Sequence, residues 1–228
     1  MRGIFVPILL LCACFARAET PAVPPLSGKL GEPVQLFSGK DLSGWKWVAK
    51  PTTSPSATTA NMKDVWSVKD GMLIDKGRPQ GYIRTEAAYK NYVLTVEQRH
   101  VTKGNGGILI GITGEDKVWP HCVEVQGQSG AEGEFWNQGH LKMTFDPARK
   151  DPNDKTDRHV LRIGPKSESP IGEWDTIEIT NDHGNLVVKV NGQLQNIATE
   201  IEDLSGSIGL QAENGAMEFR KIELRPIE

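Results

Sequence analysis

Glu97 and Arg99 stand two residues apart, as do Glu124 and Gln126, each pair in a short run of alternating apolar and polar residues. Side chains alternate across a strand, so each pair shares one face. Leu94, Val96, Gln98 and His100 share the face opposite Glu97 and Arg99, while His121, Val123 and Val125 lie opposite Glu124 and Gln126. Gln211 likewise opposes Ile208 and Leu210. Solvated sheet faces favour Thr and Lys. A face of Glu, Arg and Gln instead offers charged and amide groups suited to hydroxyl-rich ligands. If the three strands converge on one concave sheet, they line a polar cleft. The competing reading is a plain solvated sheet surface carrying a Glu-Arg cross-strand pair. His100 and His121 titrate near neutrality and are alternative bases, although parity puts both on the wrong side unless a bulge intervenes.

Other chemistries find little support. There is no His-Glu-x-x-His and no Cys pair for zinc, no Gly-x-Ser-x-Gly elbow, no P-loop and no dinucleotide fingerprint. The Glu-x-Asp-x-x-Glu spacing that places two carboxylates about a glycosidic bond in retaining glucanases does not occur. Asp151, Asn153, Asp154 and Asp157 form an oxygen-rich run, but Lys155 falls where a ligand is wanted and the glycine of a calcium loop is missing. No cofactor is expected from a motif. Calcium at that run is a minor option, and a divalent cation held by Glu124 with His121 is the other metal option left open.

The elements that would position these residues are strands. Val65 to Val68 and Met72 to Ile74 flank Asp70-Gly71, a hairpin signature. Further alternating runs cover 91–101, 106–112, 122–126, 159–163, 176–180, 186–190, 207–211 and 216–224, with turn signals at Asn191-Gly192 and Asn214-Gly215. Only Thr85 to Tyr89 suggests a helical turn. Lys50 to Lys63 and Asp146 to Asp157 read as long loops. No internal repeat is visible. So many short strands with so little helix predict an all-β fold of two packed antiparallel sheets, a sandwich or jelly roll.

At the N-terminus a basic start, an apolar run over 4–15 and Ala16-Arg17-Ala18 predict a signal peptide over 1–18, hence export to the periplasm or the exterior. The alternative is acylation of Cys14, although Cys12 directly before Ala13 fits that signal poorly. The Pro- and Gly-rich 19–33 reads as a linker and 34–228 as one domain. Cleavage would leave Cys122 alone, so no internal disulfide is expected and the core must supply stability. The run over 4–15 is too short to span a bilayer, and no later stretch reaches the roughly 20 apolar residues a span needs. The net charge of −3, with basic residues scattered along the chain, argues against a nucleic-acid partner.

Leu36-Phe37-Ser38-Gly39-Lys40-Asp41-Leu42-Ser43-Gly44-Trp45 resembles the opening signature of the 3-keto-disaccharide hydrolase domain family. The likeness continues in order. Trp66 to Gly71 resembles its first hairpin, and Tyr89 to Leu94 with Glu97 and Arg99 its "Tyr-Gly-Asp-Phe-Glu-Leu" strand. Asn105-Gly106-Gly107-Ile108 stands where it has Asn-Ser-Gly-Ile or Val. Glu124-Val125-Gln126, Gly172-Glu173-Trp174, Asn191-Gly192 and Gly206 to Gln211 match its Glu-x-Gln, Gly-Glu-Trp, Asn-Gly and closing Gly-x-Ile-Gly-Leu-Gln. The chain departs at Gly106, at Asp175 in place of the common Asn, and at Ala212-Glu213, where an aspartate-histidine pair is often seen.

The resemblance implies a concanavalin A-like jelly roll with its site on the concave sheet, and cleavage of sugars oxidised to a ketone at carbon 3. That ketone acidifies the carbon-2 hydrogen, so a base can remove it, the carbon-1 substituent leaves, and water adds back. The scheme implies Glu97 and Glu124 as base and acid, with Arg99 holding the enolate oxygen. Asn105, Gln126 and Gln211 would grip sugar hydroxyls, with His121 beside them. Trp119 and Trp136, in loops around the cleft, would lie against a pyranose, whereas Trp45, Trp66 and Trp174 read as core. The expected partner is a saccharide. The rival expectation is a non-catalytic carbohydrate-binding jelly roll.

Overall fold

The structure, a computed structural model, describes residues 21–51 and 60–228. The segment read as a signal peptide, with Cys12 and Cys14, and residues 52–59 of the loop after Lys50 lie outside the described residues. In chain order the first strands are β1 (Val34–Gln35), β2 (Trp45–Ala49), β3 (Trp66–Lys69), β4 (Met72–Asp75), β5 (Gly81–Thr85), β6 (Tyr92–His100) and β7 (Gly107–Thr113). They are followed by β8 (His121–Gln126), β9 (Phe135–Trp136), β10 (His159–Val160), β11 (Asp175–Asp182), β12 (Asn185–Val190), β13 (Gln193–Ala198), β14 (Ser207–Ala212) and β15 (Met217–Pro226). Helix among the described residues amounts to one short turn, α1 (Met62–Val65), and a 3-10 turn at Pro147–Arg149. No helix among them is long and apolar enough to cross a membrane.

All strand pairs are antiparallel and fall into two sheets. One runs β13-β12-β11-β6-β15-β4-β3 with β1 against β15, the other β10-β9-β8-β7-β14-β5-β2. Asp70-Gly71 and Asn191-Gly192 take positive φ at both positions, which closes their two-residue hairpins with the twist the strands require. The inward faces interdigitate. Leu94, Val96, Ile177, Ile179 and Ile222 of the first sheet meet Ile108, Ile110, Val123, Val125, Ile208 and Leu210 of the second in one core. Burying this much branched apolar surface is the main source of stability in a domain whose described residues contain only one cysteine, Cys122.

Several local expectations change. Thr85 to Tyr89 is no helical turn: Thr85 ends β5, its hydroxyl donates to the Ala87 carbonyl, and Tyr89 bridges to Gly206. The 159–163 run pairs in a ladder only over His159–Val160, because Leu161 and Ile163 give their amides to Arg149 and Gln195 instead. Trp174 is not core. It lies on the outer face of the first sheet between the guanidinium groups of Arg99 and Arg220, 4.7 and 4.4 Å from its ring. Pairing of the N-terminal segment begins at Lys29, which exchanges backbone hydrogen bonds with Glu228.

Candidate functional site

The seven-stranded sheet carries a row of outward side chains set by strand register. His159 of β10 pairs with Trp136 of β9, Trp136 with Glu124 of β8, Glu124 with Leu109 of β7, Leu109 with Gly209 of β14, Gly209 with Arg84 of β5, and Arg84 with Lys46 of β2. The neighbouring row holds Gln126, Gly107, Gln211, Tyr82 and Val48. Gly107 lets its neighbours meet. A Cβ built there would lie 2.5 Å from Gln211 Oε1 and 3.1 Å from Glu124 Oε1, so both side chains converge over the space where a methyl would be.

A pocket of about 280 Å³ opens above these rows. Asn105, Glu124, Gln126, Trp119 and Trp136 line it, together with Gln128, Gln138, Arg158 and Glu213, while Gln211 opens into the adjoining recess beside Trp119. Trp136 therefore acts from a strand rather than a loop. Glu124 is only 2 % exposed. One of its oxygens accepts from Gln138 Nε2 at 2.8 Å, and Gln138 Oε1 accepts in turn from Arg158 Nη1 at 2.8 Å. Asn105 Nδ2 donates to Glu213 Oε2 at 2.6 Å.

These surroundings set the protonation states. Burial pushes the Glu124 carboxyl up to about 7; the Gln138 hydrogen bond works against this, and the negative Glu213 nearby adds to it. Burial also raises Glu213, opposed by Lys50 and Arg78. Behind the pocket, His159 stacks on Trp136 at 4.3 Å between ring centres, and its two nitrogens lie 2.8 Å from Glu134 and from Asp151. Burial disfavours its charge, but the two carboxylates outweigh burial and hold its pKa above the usual imidazole range. Both amide atoms of Gln211, Asn105 Oδ1 and Trp136 Nε1 are buried without a partner among the described residues. Such groups are costly unless something supplies the missing hydrogen bonds, and a ligand with several hydroxyls would do so.

The structure does not bring Glu97 and Arg99 to this pocket. Both lie on β6, on the outer face of the other sheet, with the whole core between them and Glu124. There Glu97 pairs with Arg220, and Arg99 Nε donates to Glu218 at 2.6 Å. Parity separated the faces of β6 correctly, but the polar faces of the two sheets point in opposite directions. His121 is also outside the pocket. It sits exposed at the start of β8, its Nδ1 3.2 Å from the Thr113 hydroxyl, so the cation option on Glu124 lacks its second ligand. His100 lies inside the core with Gln98, both against Glu132. Among the described residues no three His, Cys, Asp or Glu side chains are placed to hold a metal. The calcium-like run spends its carboxylates internally, Asp154 capping the amides of Thr156, Arg158 and His159. Glu213, Gln138, Gln128 and Arg158 are the pocket residues that sequence reasoning missed. The only signal was indirect, since Glu213 falls at one of the departures from the family pattern.

The model of the 3-keto-alpha-glucoside-1,2-lyase-like domain matches residues 32–225. No curated protein matches the sequence. Among solved structures, a protein of Parabacteroides distasonis assigned as a glycosyl hydrolase is 16 % identical, covering 86 % of this chain and 94 % of its own, with a TM-score of 0.61. The carbohydrate-binding module CBM66 from Bacillus subtilis is 10 % identical, with coverage of 79 % and 94 % and a TM-score of 0.53. LamA from Zobellia galactanivorans, in complex with laminaritriose and laminaritetraose, is 10 % identical, with coverage of 88 % and 100 % and a TM-score of 0.56. These likenesses show the fold, a concanavalin A-like jelly roll shared by glycosyl hydrolases and carbohydrate-binding modules.

Proposed function

The chain belongs to the 3-keto-alpha-glucoside-1,2-lyase-like domain family, and on that premise we propose that it is an exported enzyme cleaving 3-keto-glycosides by elimination and hydration at the Glu124 pocket. The observation that carries this reading is Glu124 itself: a carboxyl buried against the pocket floor, with a pKa near 7, is suited to take and return a proton at neutral pH. In the reaction Glu124 removes the proton from carbon 2. The C–H electrons move into the carbon 2–carbon 3 bond as the ketone oxygen becomes an enolate; when that pair returns, the carbon 1–carbon 2 double bond forms and the bond from carbon 1 to the leaving oxygen breaks. Glu213, itself raised by burial, delivers a proton to that oxygen. Arg158, always cationic, takes the enolate-stabilising role first assigned to Arg99. Water then adds to carbon 1 and gives a proton to Glu213, while Glu124 returns its own proton to carbon 2, so both carboxyls end as they began. Gln126, Gln211 and Asn105 hold hydroxyls, and Trp119 and Trp136 flank the ring.

The test is release of monosaccharide from a 3-keto-disaccharide by the purified protein, lost in Glu124→Gln. No release by the native protein, with or without added divalent metal, overturns the reading. A second reading, a non-catalytic saccharide-binding module, is favoured by the likeness to CBM66. It predicts glycan binding that survives Glu124→Gln and no turnover by the native chain.

A further inference from the structure

Residues 114–120 join β7 to β8 and fold back over the outer face of the seven-stranded sheet. Beneath them Val48, Tyr82, Leu109, Ile112 and Cys122 form a separate apolar cluster on the outward side of their strands, yet none exceeds 8 % exposure. An apolar patch on an outward face stays dry only under a cover. Val118 and Trp119 stand against Gln80, Gly81 and the Gln211–Glu213 stretch, and the Lys117 backbone and Asp116 carboxylate face the Tyr82 hydroxyl. Gly114, at φ +76, turns the chain into this path.

What fastens the cover is a single carboxylate. Asp116 Oδ2 accepts from Lys46 Nζ at 2.7 Å, and Asp116 Oδ1 accepts from Arg84 Nε at 2.8 Å. Lys46 and Arg84 are register partners on β2 and β5, so the two cations are held by the rigid sheet. Trp119 is 44 % exposed and lines the pocket, so its position depends on where the cover lies.

We infer that residues 114–120 are a strap latched by Asp116 to Arg84 and Lys46, and that this latch sets where Trp119 stands over the bound saccharide, making Asp116 a positioning residue. The latch stands on geometry alone, whereas its effect on the saccharide rests on the function proposed above.

Cys122 provides the readout. In the full chain carrying Cys12→Ser and Cys14→Ser it is the only thiol, and it is buried beneath the strap. Its rate of reaction with Ellman's reagent reports strap opening. Asp116→Asn is expected to raise that rate about fivefold to tenfold, with Arg84→Gln doing the same from the sheet side, as loss of a partly buried charged latch implies. Raising the salt to 1 M, where the screening length falls to about 3 Å, should speed labelling of the native strap and leave Asp116→Asn unmoved. Unchanged labelling in both variants, with native circular dichroism, overturns the latch; if neither folds, a salt-independent native rate overturns it. For the positioning role, Asp116→Asn should raise KM for a 3-keto-disaccharide about fivefold with kcat within about twofold, and should add nothing to Trp119→Ala. A fall confined to kcat overturns it. If the native protein turns over no such sugar, the proposed function fails while the thiol result still judges the strap.

Discussion

Replacing Glu124 by Gln should abolish turnover and also stabilise the protein at alkaline pH. Glu124 is buried, and its carboxyl is raised from the ordinary value near 4.5 to about 7. A raised carboxyl means the unfolded chain gives up its proton first. Below about pH 4.5 the group is neutral in both states and carries no penalty. Between about 4.5 and 7 the folded state comes to bind more protons than the unfolded one, so stability falls with rising pH and levels off above about 7. At about 1.36 kcal/mol per pH unit, the loss is roughly 3 kcal/mol. The amide introduced by Glu124→Gln would keep an acceptor for Gln138 and carry no charge, so this variant should exceed the native protein by up to about 3 kcal/mol at pH 8 and match it near pH 4.5. For a domain of this size that is a Tm difference of about 6 to 12 °C. Urea denaturation of both proteins across this pH range measures the gap. A gap that does not change with pH, or a variant less stable at pH 8, would refute the assignment of a neutralisable carboxyl to Glu124.

Three further outcomes follow from the same geometry. Gly107→Ala puts a methyl 2.5 Å from Gln211 Oε1 and should displace that amide and Glu124 together, weakening saccharide binding about tenfold to a hundredfold by calorimetry while the fold persists. Arg99→Gln should leave kcat/KM within about twofold and stability within about 1 kcal/mol, since its partner Glu218 is on the far sheet and the pair is partly exposed. The pH profile of kcat/KM in the native protein should show an acid limb near 7, rising as Glu124 loses its proton; a profile flat between about pH 5.5 and 8 would count against Glu124 as the base.

The strand architecture was legible because its signals are local. Asp70-Gly71 and Asn191-Gly192 demand left-handed turns, and alternation along β6, β8 and β14 sorted inward from outward side chains residue by residue. What parity could not say is which sheet a strand joins. Glu97 and Glu124 read alike along the chain, but β6 is central to one sheet and β8 to the other, so their polar faces diverge. Glu124, Gln126, Gln211, Asn105 and both loop-assigned tryptophans do converge. Gln138 and Arg158 were hidden because they come from irregular segments whose path follows no period, and the Asp-rich run before Arg158 drew attention to metal binding. Strands β2 and β5 are short and lie among Gly44, Pro51, Pro79 and Gly81, whose turn signals mask the alternation.

The two strands latest in the sequence lie in the middle of the two sheets. β14 separates β5 from β7, and β15 separates β6 from β4. Until residues 207–226 are present, the first sheet lacks the strand that joins β6, β4 and β1, the second exists as two fragments with open edges, and Gln211 and Glu213 are missing from the pocket. Assembly is therefore non-local and late, in the slow range typical of sandwiches with distant pairings, on the order of milliseconds to seconds. Pocket and core both depend on these last strands, so a chain that lacks them has no part-built pocket to offer.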